Sequence, residues 1–338
     1  MKMNAIVCTK YGSPDVLELK EVDKPIPKDY EVLVKIYAAS LNAADFEYLS
    51  GSWAARFLGP LKPKHKILGS DIAGRVETVG RNVKQFQPGD EIFGDSSLCG
   101  FGAFAEYVCV PENALALKPT SMTFEEASTY PQAAIVALQG LREKRPIQPR
   151  QKVLINGAGG GMGTFAVQIA KSFGAEVTGV DSTRKLDMLG SIGADHVIDY
   201  TREDYTKSGQ RYDLILDVAA HHSIFDYKRV LSPGGIFVMI GGSRFAIFQA
   251  VFLGSLISRI GSKRMGINTG SKRMGIDKWK PNIKEDLVLL NDLFEAGKVV
   301  PIIDRRYPLS EVPEALRYLE EGHALGKVVI NVEHNTKT

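Results

Sequence analysis

The sequence predicts an α/β protein of two domains, a barrel-like β unit into which a doubly wound parallel sheet is inserted. Three observations predict it. Short β-rich runs punctuated by Gly, Pro, Asn and Asp fill residues 1–120; strand and helix then alternate through residues 121–299; residues 300–338 return to β-rich segments around a helix at Val312–Glu321. At roughly 100–200 residues per domain, a chain of 338 residues accommodates two.

In the first part the expected strands are Asn4–Cys8, Glu31–Ala38, Ile72–Val79, Asp90–Phe93 and Phe104–Val110. Past Ser121 a helix is expected over Phe124–Leu141 and a strand over Lys152–Ile155. A glycine loop and a helix at Gly163–Phe173 follow, then a strand at Glu176–Val180. A helix at Arg184–Ile192, strands near His196–Ile198 and Leu214–Asp217, a helix near Ile224–Leu231 and a strand at Gly235–Ile240 complete the alternation. The heptapeptide GSKRMGI occurs at Gly261–Ile267 and again at Gly270–Ile276, which reads as a short tandem duplication.

Composition excludes several classes. A net charge of +3 gives no case for nucleic acid or an anionic surface. Three cysteines without a C-x-x-C spacing, Cys8, Cys99 and Cys109, suit a reducing compartment. With no signal-like apolar run at the N-terminus and no uncharged stretch of the ~18–20 residues a span needs, a soluble cytoplasmic protein is expected. The apolar stretch Phe245–Ile260, with Phe248, Val251, Phe252, Leu253, Leu256 and Ile257, is read as a packed helix before a membrane contact or a lid.

The strongest chemical signal is KVLINGAGGGMGTFAVQIAKSFGAEVTGVD. A buried strand, Val153–Asn156, runs into Ala158, Gly160, Gly161, Met162 and Gly163, which open an amphipathic helix. Glycines there let the backbone turn sharply and approach a pyrophosphate, whose charge rests on the helix N-terminus. Asp181 ends the next strand 18 residues after Gly163, close to the spacing of an acid that holds a ribose. A nicotinamide dinucleotide is therefore expected. Asp181 favours NAD(H), because a carboxylate repels a 2′-phosphate. Ser182, Thr183, Arg184 and Lys185 favour NADP(H). The balance leans to NADP(H), with NAD(H) the alternative.

These segments resemble a medium-chain dehydrogenase/reductase, and within that superfamily the quinone oxidoreductase-like group. The resemblance runs through SLNAADF (Ser40–Phe46), LGSDIAGRVETVG (Leu68–Gly80), QPGDEIFG (Gln87–Gly94) and GAFAEYV (Gly102–Val108). It continues through the glycine loop, GADHVIDY (Gly193–Tyr200) and GHALGKVVI (Gly322–Ile330). It implies a GroES-like β-barrel catalytic domain (1–120 and 300–338) and a Rossmann cofactor domain (121–299), paired into homodimers through edge strands. The second GSKRMGI would lie near that edge and shift it. The resemblance places Lys185 and Tyr200 near the 2′-phosphate, Lys327 near the cofactor, and Gly241 and Gly242 along the nicotinamide. Leu325 stands where related sequences often have Arg, which removes one phosphate partner.

Zinc-dependent relatives place Cys three residues before an Asp and then Gly-His-Glu. Here Asn42 precedes Asp45, and the second motif reads Gly69-Ser70-Asp71. Asn and Ser are poor zinc ligands, the four-cysteine loop is missing, and His221-His222 read as lining or capping residues, so no metal is expected. The implied reaction is hydride transfer from NAD(P)H to a quinone or an α,β-unsaturated carbonyl, with the protein stabilising an oxyanion. Asn42 is the candidate amide donor and Tyr48 a candidate proton donor or lining residue. For Asp45 a helix cap or Asx-turn is favoured over direct catalysis. The alternatives are a zinc-independent alcohol/aldehyde dehydrogenase and a cofactor-binding structural or interaction protein.

Overall fold

The computed structural model describes residues 1–142, 146–243, 245–249, 264–267 and 284–334. The chain divides into two compact units: residues 1–133, 281–291 and 303–338, and residues 134–280 and 292–302. No helix among the described residues is long and apolar enough to cross a membrane.

The first unit is all strand at its centre. Glu31–Ser40 pairs with Asp71–Val79, with Tyr107–Pro111 and with Lys327–Asn331, each antiparallel. Flanked on both sides, this strand is buried along most of its length instead of alternating. The seven-stranded sheet continues through Glu91–Asp95 to Leu115–Leu117 on one side and Ile303–Pro308 on the other. A separate hairpin joins Lys2–Cys8 to Leu17–Asp23, a strand whose largely charged LELKEVD conceals it from an apolar pattern. Ile6, Val34, Ile36, Leu49, Phe104 and Leu316 are among the core residues.

The second unit is a six-stranded parallel sheet. Its strand order is His196–Asp199, Glu176–Asp181, Lys152–Asn156, Tyr212–Asp217, Leu231–Met239, Arg264–Ile267. The order runs outward in both directions from Lys152–Asn156. The switch point therefore lies between that strand and Tyr212–Asp217, where a doubly wound sheet opens its ligand crevice. The edge strand Arg264–Ile267 belongs to the first GSKRMGI copy; the second copy lies outside the described residues. Of the apolar stretch 245–260, Phe245–Gln249 is helical and the remainder lies outside the described residues.

Two expected helices differ. Phe124–Leu141 is two helices, Phe124–Ser128 and Ala133–Arg142, because Pro131 lacks an N–H and turns Tyr130 away from helical geometry. The helix after the glycine loop, Gly161–Ser172, is more buried than an amphipathic one, with Gly163 through Ala170 all inside. Gln168 fits there because its side-chain amide donates to the Thr164 and Val300 carbonyls and accepts the Val300 N–H.

Candidate active site

The glycine loop leaves the sheet at Asn156, one side of the switch point. Gly157 has φ +76° and needs its glycine. Gly160 caps the helix, and the first amides of Gly161–Ser172 stand at its N-terminus. Gly163 is fixed by contact: a Cβ there would lie 2.2 Å from the Gly157 carbonyl oxygen and 2.5 Å from that of Ala158. Ala158 is wholly buried beneath the loop, and Met162 lies on the first helical turn.

Asp181 does something the spacing does not reveal. Its Oδ2 accepts the Gly159 N–H at 2.8 Å and its Oδ1 the Ser182 N–H at 2.8 Å, while Lys185 Nζ lies 3.5 Å from Oδ1. Asp181 and Lys185 are both buried. The carboxylate thus ties the glycine loop to the second strand, with its charge balanced by a lysine. Arg184 and Thr183 remain exposed, as does Tyr200 beyond the neighbouring strand. Gly241 and Gly242 pack on backbone, since a Cβ would lie 2.7 Å from the Val218 oxygen and 2.4 Å from the Ala220 oxygen respectively.

Across the switch point Asn156 Nδ2 donates to Asp217 Oδ1 at 2.8 Å, and the Ala219 N–H donates to the same oxygen at 3.0 Å. Burial pushes the Asp217 carboxyl up to about 6, with Tyr227 and Asn156 opposing it. His221 and His222 pack with ring centroids 4.1 Å apart and planes inclined at 37°, and the His222 N–H meets the Tyr227 hydroxyl at 3.3 Å.

In the first unit four strand ends deliver polar side chains to one buried cluster. Glu31–Ser40 leads into Asn42, Asp71 starts its strand, Asp95 ends the strand opposite Asp71, and Lys327 starts the last strand. Lys327 Nζ donates to the Leu41 carbonyl at 2.9 Å and to Asn42 Oδ1 at 2.8 Å, and lies 3.6 Å from Asp71 Oδ2. Asn42 Nδ2 donates to Asp71 Oδ2 at 2.9 Å. The amide can face only one way, because an ammonium only donates and a carboxylate accepts. One of its two N–H hydrogens goes to Asp71.

Burial lowers the Lys327 ammonium and raises the Asp71 carboxyl, and each partner opposes the other's shift. Such a cluster shares its protons, so its titration belongs to the group. Lys327 spends its hydrogens inside this cluster, so its geometry is that of a positioning residue instead of an exposed cofactor contact.

Asp45 is fully buried, and its Oδ2 accepts the Asn42 N–H at 2.8 Å at the start of the helix Ala43–Leu49. That is the capping geometry, and no oxygen of Asp45 faces solvent. Burial pushes its carboxyl up to about 7 from 3.8, against the Asn42 N–H and the Lys327 charge. The folded chain therefore holds the extra proton between those values. The contribution of Asp45 to stability is fully present below about pH 4 and is lost as pH rises through about 7. Asp45→Asn should accordingly gain stability relative to the parent as pH rises across that window. Urea midpoints measured at pH 4 to 8 check this, and parallel profiles for the two proteins would refute it.

Tyr48, on the same short helix, is 6% exposed. Its oxygen accepts the His65 N–H at 3.1 Å, so its own hydrogen points elsewhere. Phe101 packs on it at 5.1 Å, held at φ +65° between two glycines that also have positive φ. An outlier of this kind marks a side chain that its surroundings force into place. His65 and Phe101 also border an open groove of about 510 Å3 with Cys99 and Cys109.

Sequence reasoning missed Asp71, Asp95 and Ser40, whose Oγ lies 3.2 Å from Asp71 Oδ2, as members of the cluster, and His65 and Phe101 as supports of Tyr48. Gly-Ser-Asp signals only a departure from a ligand motif; that Asp71 faces Asp95 is a matter of strand register. Among the described residues, no group of three or more His, Cys, Asp or Glu is arranged to hold a metal ion.

Comparison with known proteins adds the following. The alcohol dehydrogenase GroES-like domain family matches residues 28–120, and a family described as zinc-binding dehydrogenase matches residues 192–330. The chain is 36% identical to the 2-methylene-furan-3-one reductase of Solanum lycopersicum, over 98% of this chain and 79% of that protein. It is 33% identical to the chloroplastic NADPH-dependent alkenal/one oxidoreductase of Arabidopsis thaliana, over 97% and 79%. The solved quinone oxidoreductase of Coxiella burnetii superposes with a TM-score of 0.84 at 28% identity, covering 98% of this chain and all of that one.

Proposed function

Because the chain belongs to the medium-chain dehydrogenase/reductase superfamily, in its quinone oxidoreductase-like group, we propose that it is an NAD(P)H-dependent reductase of quinones and α,β-unsaturated carbonyls. Asn42 carries this reading. Its amide oxygen is taken by Lys327 and one N–H by Asp71, which leaves a single N–H to offer. That arrangement suits a developing oxyanion and does not suit zinc, and the buried ammonium beside it adds a further obstacle to a metal cation.

The nicotinamide supplies the hydride when bound. The chain's own part is to bind, orient and donate. The amides of Gly161–Gly163, the first of the helix, would meet a pyrophosphate. Arg184, Lys185, Ser182 and Tyr200 serve the adenosine ribose, and Gly241 and Gly242 the nicotinamide side. Asn42 and Tyr48 donate hydrogen bonds to the acceptor oxygen as it gains charge, and Tyr48 supplies the proton. Asp45, Asp71 and Lys327 hold Asn42 in place. Domain roles follow: the unit with the glycine loop binds the dinucleotide, and the unit with the buried cluster orients the acceptor.

NADP(H) is the preferred cofactor in this reading. Lys185 offsets Asp181, so the carboxylate no longer repels a 2′-phosphate at full strength, and Arg184 stands exposed next to it. Arg184→Ser should lower kcat/KM for NADPH roughly ten-fold and leave NADH nearly unchanged, as loss of one charge-assisted bond requires. An equal effect on both cofactors would reject the preference. The edge strand Arg264–Ile267 supports a homodimer, and three unpaired cysteines support a reducing, cytoplasmic setting.

Steady-state assays with 1,2-quinones, enals, enones and simple alcohols, each with both cofactors, test the activity. Turnover of conjugated acceptors in metal-free buffer is expected. Turnover of simple alcohols alone, dependent on added zinc, would overturn the reading, as would tight cofactor binding with no reduction across the panel.

A further inference from the structure

Outside the cluster and the glycine loop, the segment that follows Tyr48 combines cations with exposed large apolar side chains. Between Glu47 and Asp71 there is no acidic residue, while Arg56, Lys62, Lys64 and Lys66 supply four cations. The short helix Trp53–Leu58 turns Ala55 inward and presents Trp53 and Phe57, one turn apart, to solvent. Trp53 is 85% exposed, Phe57 83% and, just beyond the helix, Leu61 93%. The helix is nonetheless firmly seated: the Tyr11 hydroxyl lies 2.9 Å from the Ala55 carbonyl and 2.8 Å from that of Gly59, and Arg56 stacks over the Tyr11 ring. Lys62, Lys64 and Lys66 are exposed, and none of them forms an ion pair among the described residues.

Large apolar side chains held outward on a fixed support, followed in sequence by exposed cations without an ion pair among the described residues, match one surface well. An indole and a phenyl ring enter the boundary between headgroups and acyl chains, and lysines meet anionic headgroups. A protein partner would need an acidic face placed to match these lysines, whereas an anionic bilayer presents charge and apolar depth together over its whole surface. We propose that residues 53–66 form a peripheral docking site for an anionic lipid bilayer. The site sits in the first unit. It makes no demand on the reductase reading, since its readout is binding.

Co-sedimentation of the full chain with phosphatidylcholine vesicles, with and without about 30 mol% phosphatidylglycerol, tests it. The chain should pellet with the anionic vesicles and stay in solution with neutral ones, and high salt should release it. Trp53→Ser/Phe57→Ser/Leu61→Ser should weaken binding roughly ten-fold or more, and Lys62→Ser/Lys64→Ser/Lys66→Ser roughly 100-fold. The chain has two tryptophans, so Trp279→Phe leaves Trp53 as the sole emitter, and its fluorescence should move to the blue on adding anionic vesicles. This second readout does not depend on how the multiple variants fold. No pelleting above the lipid-free control, or pelleting unchanged in both triple variants, would overturn the proposal. So would a mass in sedimentation that is halved by the apolar variant without any vesicle binding, since a second copy would then be the occupant.

Discussion

Lys327→Met should lower the stability of the protein by about 3–5 kcal/mol, the usual penalty for removing one partner of a buried ion pair. Methionine keeps the unbranched stem and is one atom shorter, so the effect falls chiefly on the ammonium and its hydrogen bonds. The ammonium is the attraction that most opposes burial at Asp71, and its loss leaves Asp71, Asp45 and Asp95 with no cation in one buried region, so they must take up protons or stand as unbalanced charge. The Leu41 carbonyl and Asn42 Oδ1 lose a donor at the same stroke. A fall in melting temperature on the order of 10 °C is expected. Adding Asp71→Asn to Lys327→Met should recover part of it, because the two residues interact and their effects do not add. A variant that melts with the parent would show that the cluster is held by something other than this charge.

Gly163→Val should abolish measurable dinucleotide binding while leaving the first unit folded. A Cβ at this position meets two backbone carbonyl oxygens, of Gly157 and Ala158, and backbone cannot swing aside as a side-chain tip can. Either the loop opens or the helix Gly161–Ser172 moves away from the sheet, and both scatter the amides that face a pyrophosphate. A loss of at least roughly 100-fold in affinity is expected, since two or more charge-assisted hydrogen bonds go with the loop. Gly190→Ala is the matched control: its Cβ meets nothing within 4 Å, so it should bind normally and gain up to about 1 kcal/mol in helix stability. Titration of NADPH fluorescence against both proteins decides the matter. Normal binding by Gly163→Val would remove the glycine loop from the cofactor reading.

Much of the fold is legible in the sequence. Glycine spacing, a preceding buried strand and a following helix define the dinucleotide unit, because local backbone geometry and sequence lie close together there. The strand Leu17–Asp23 was not legible, since its exposure leaves no apolar alternation to read. The break at Pro131 was written in the sequence, but the apolar pattern on both sides of it suggests one helix. The buried cluster is the hardest part to foresee. Asn42, Asp71 and Lys327 are far apart in sequence and meet only through strand register. Asp45 was readable as a cap, because an acid three residues past a helix start has a local partner.

The tie between Asp181, Gly159 and Lys185 bears on attempts to redesign this enzyme. Exchanging the acid at the end of the second strand is the usual way to trade one dinucleotide for the other. Here the same carboxylate fastens the glycine loop, so in the proposed mode of binding Asp181→Ser would loosen the grip on both cofactors while releasing Lys185 toward a phosphate. Selectivity and affinity are coupled through one side chain. A cleaner exchange would act at Arg184, where preference can change and the fastening stays closed.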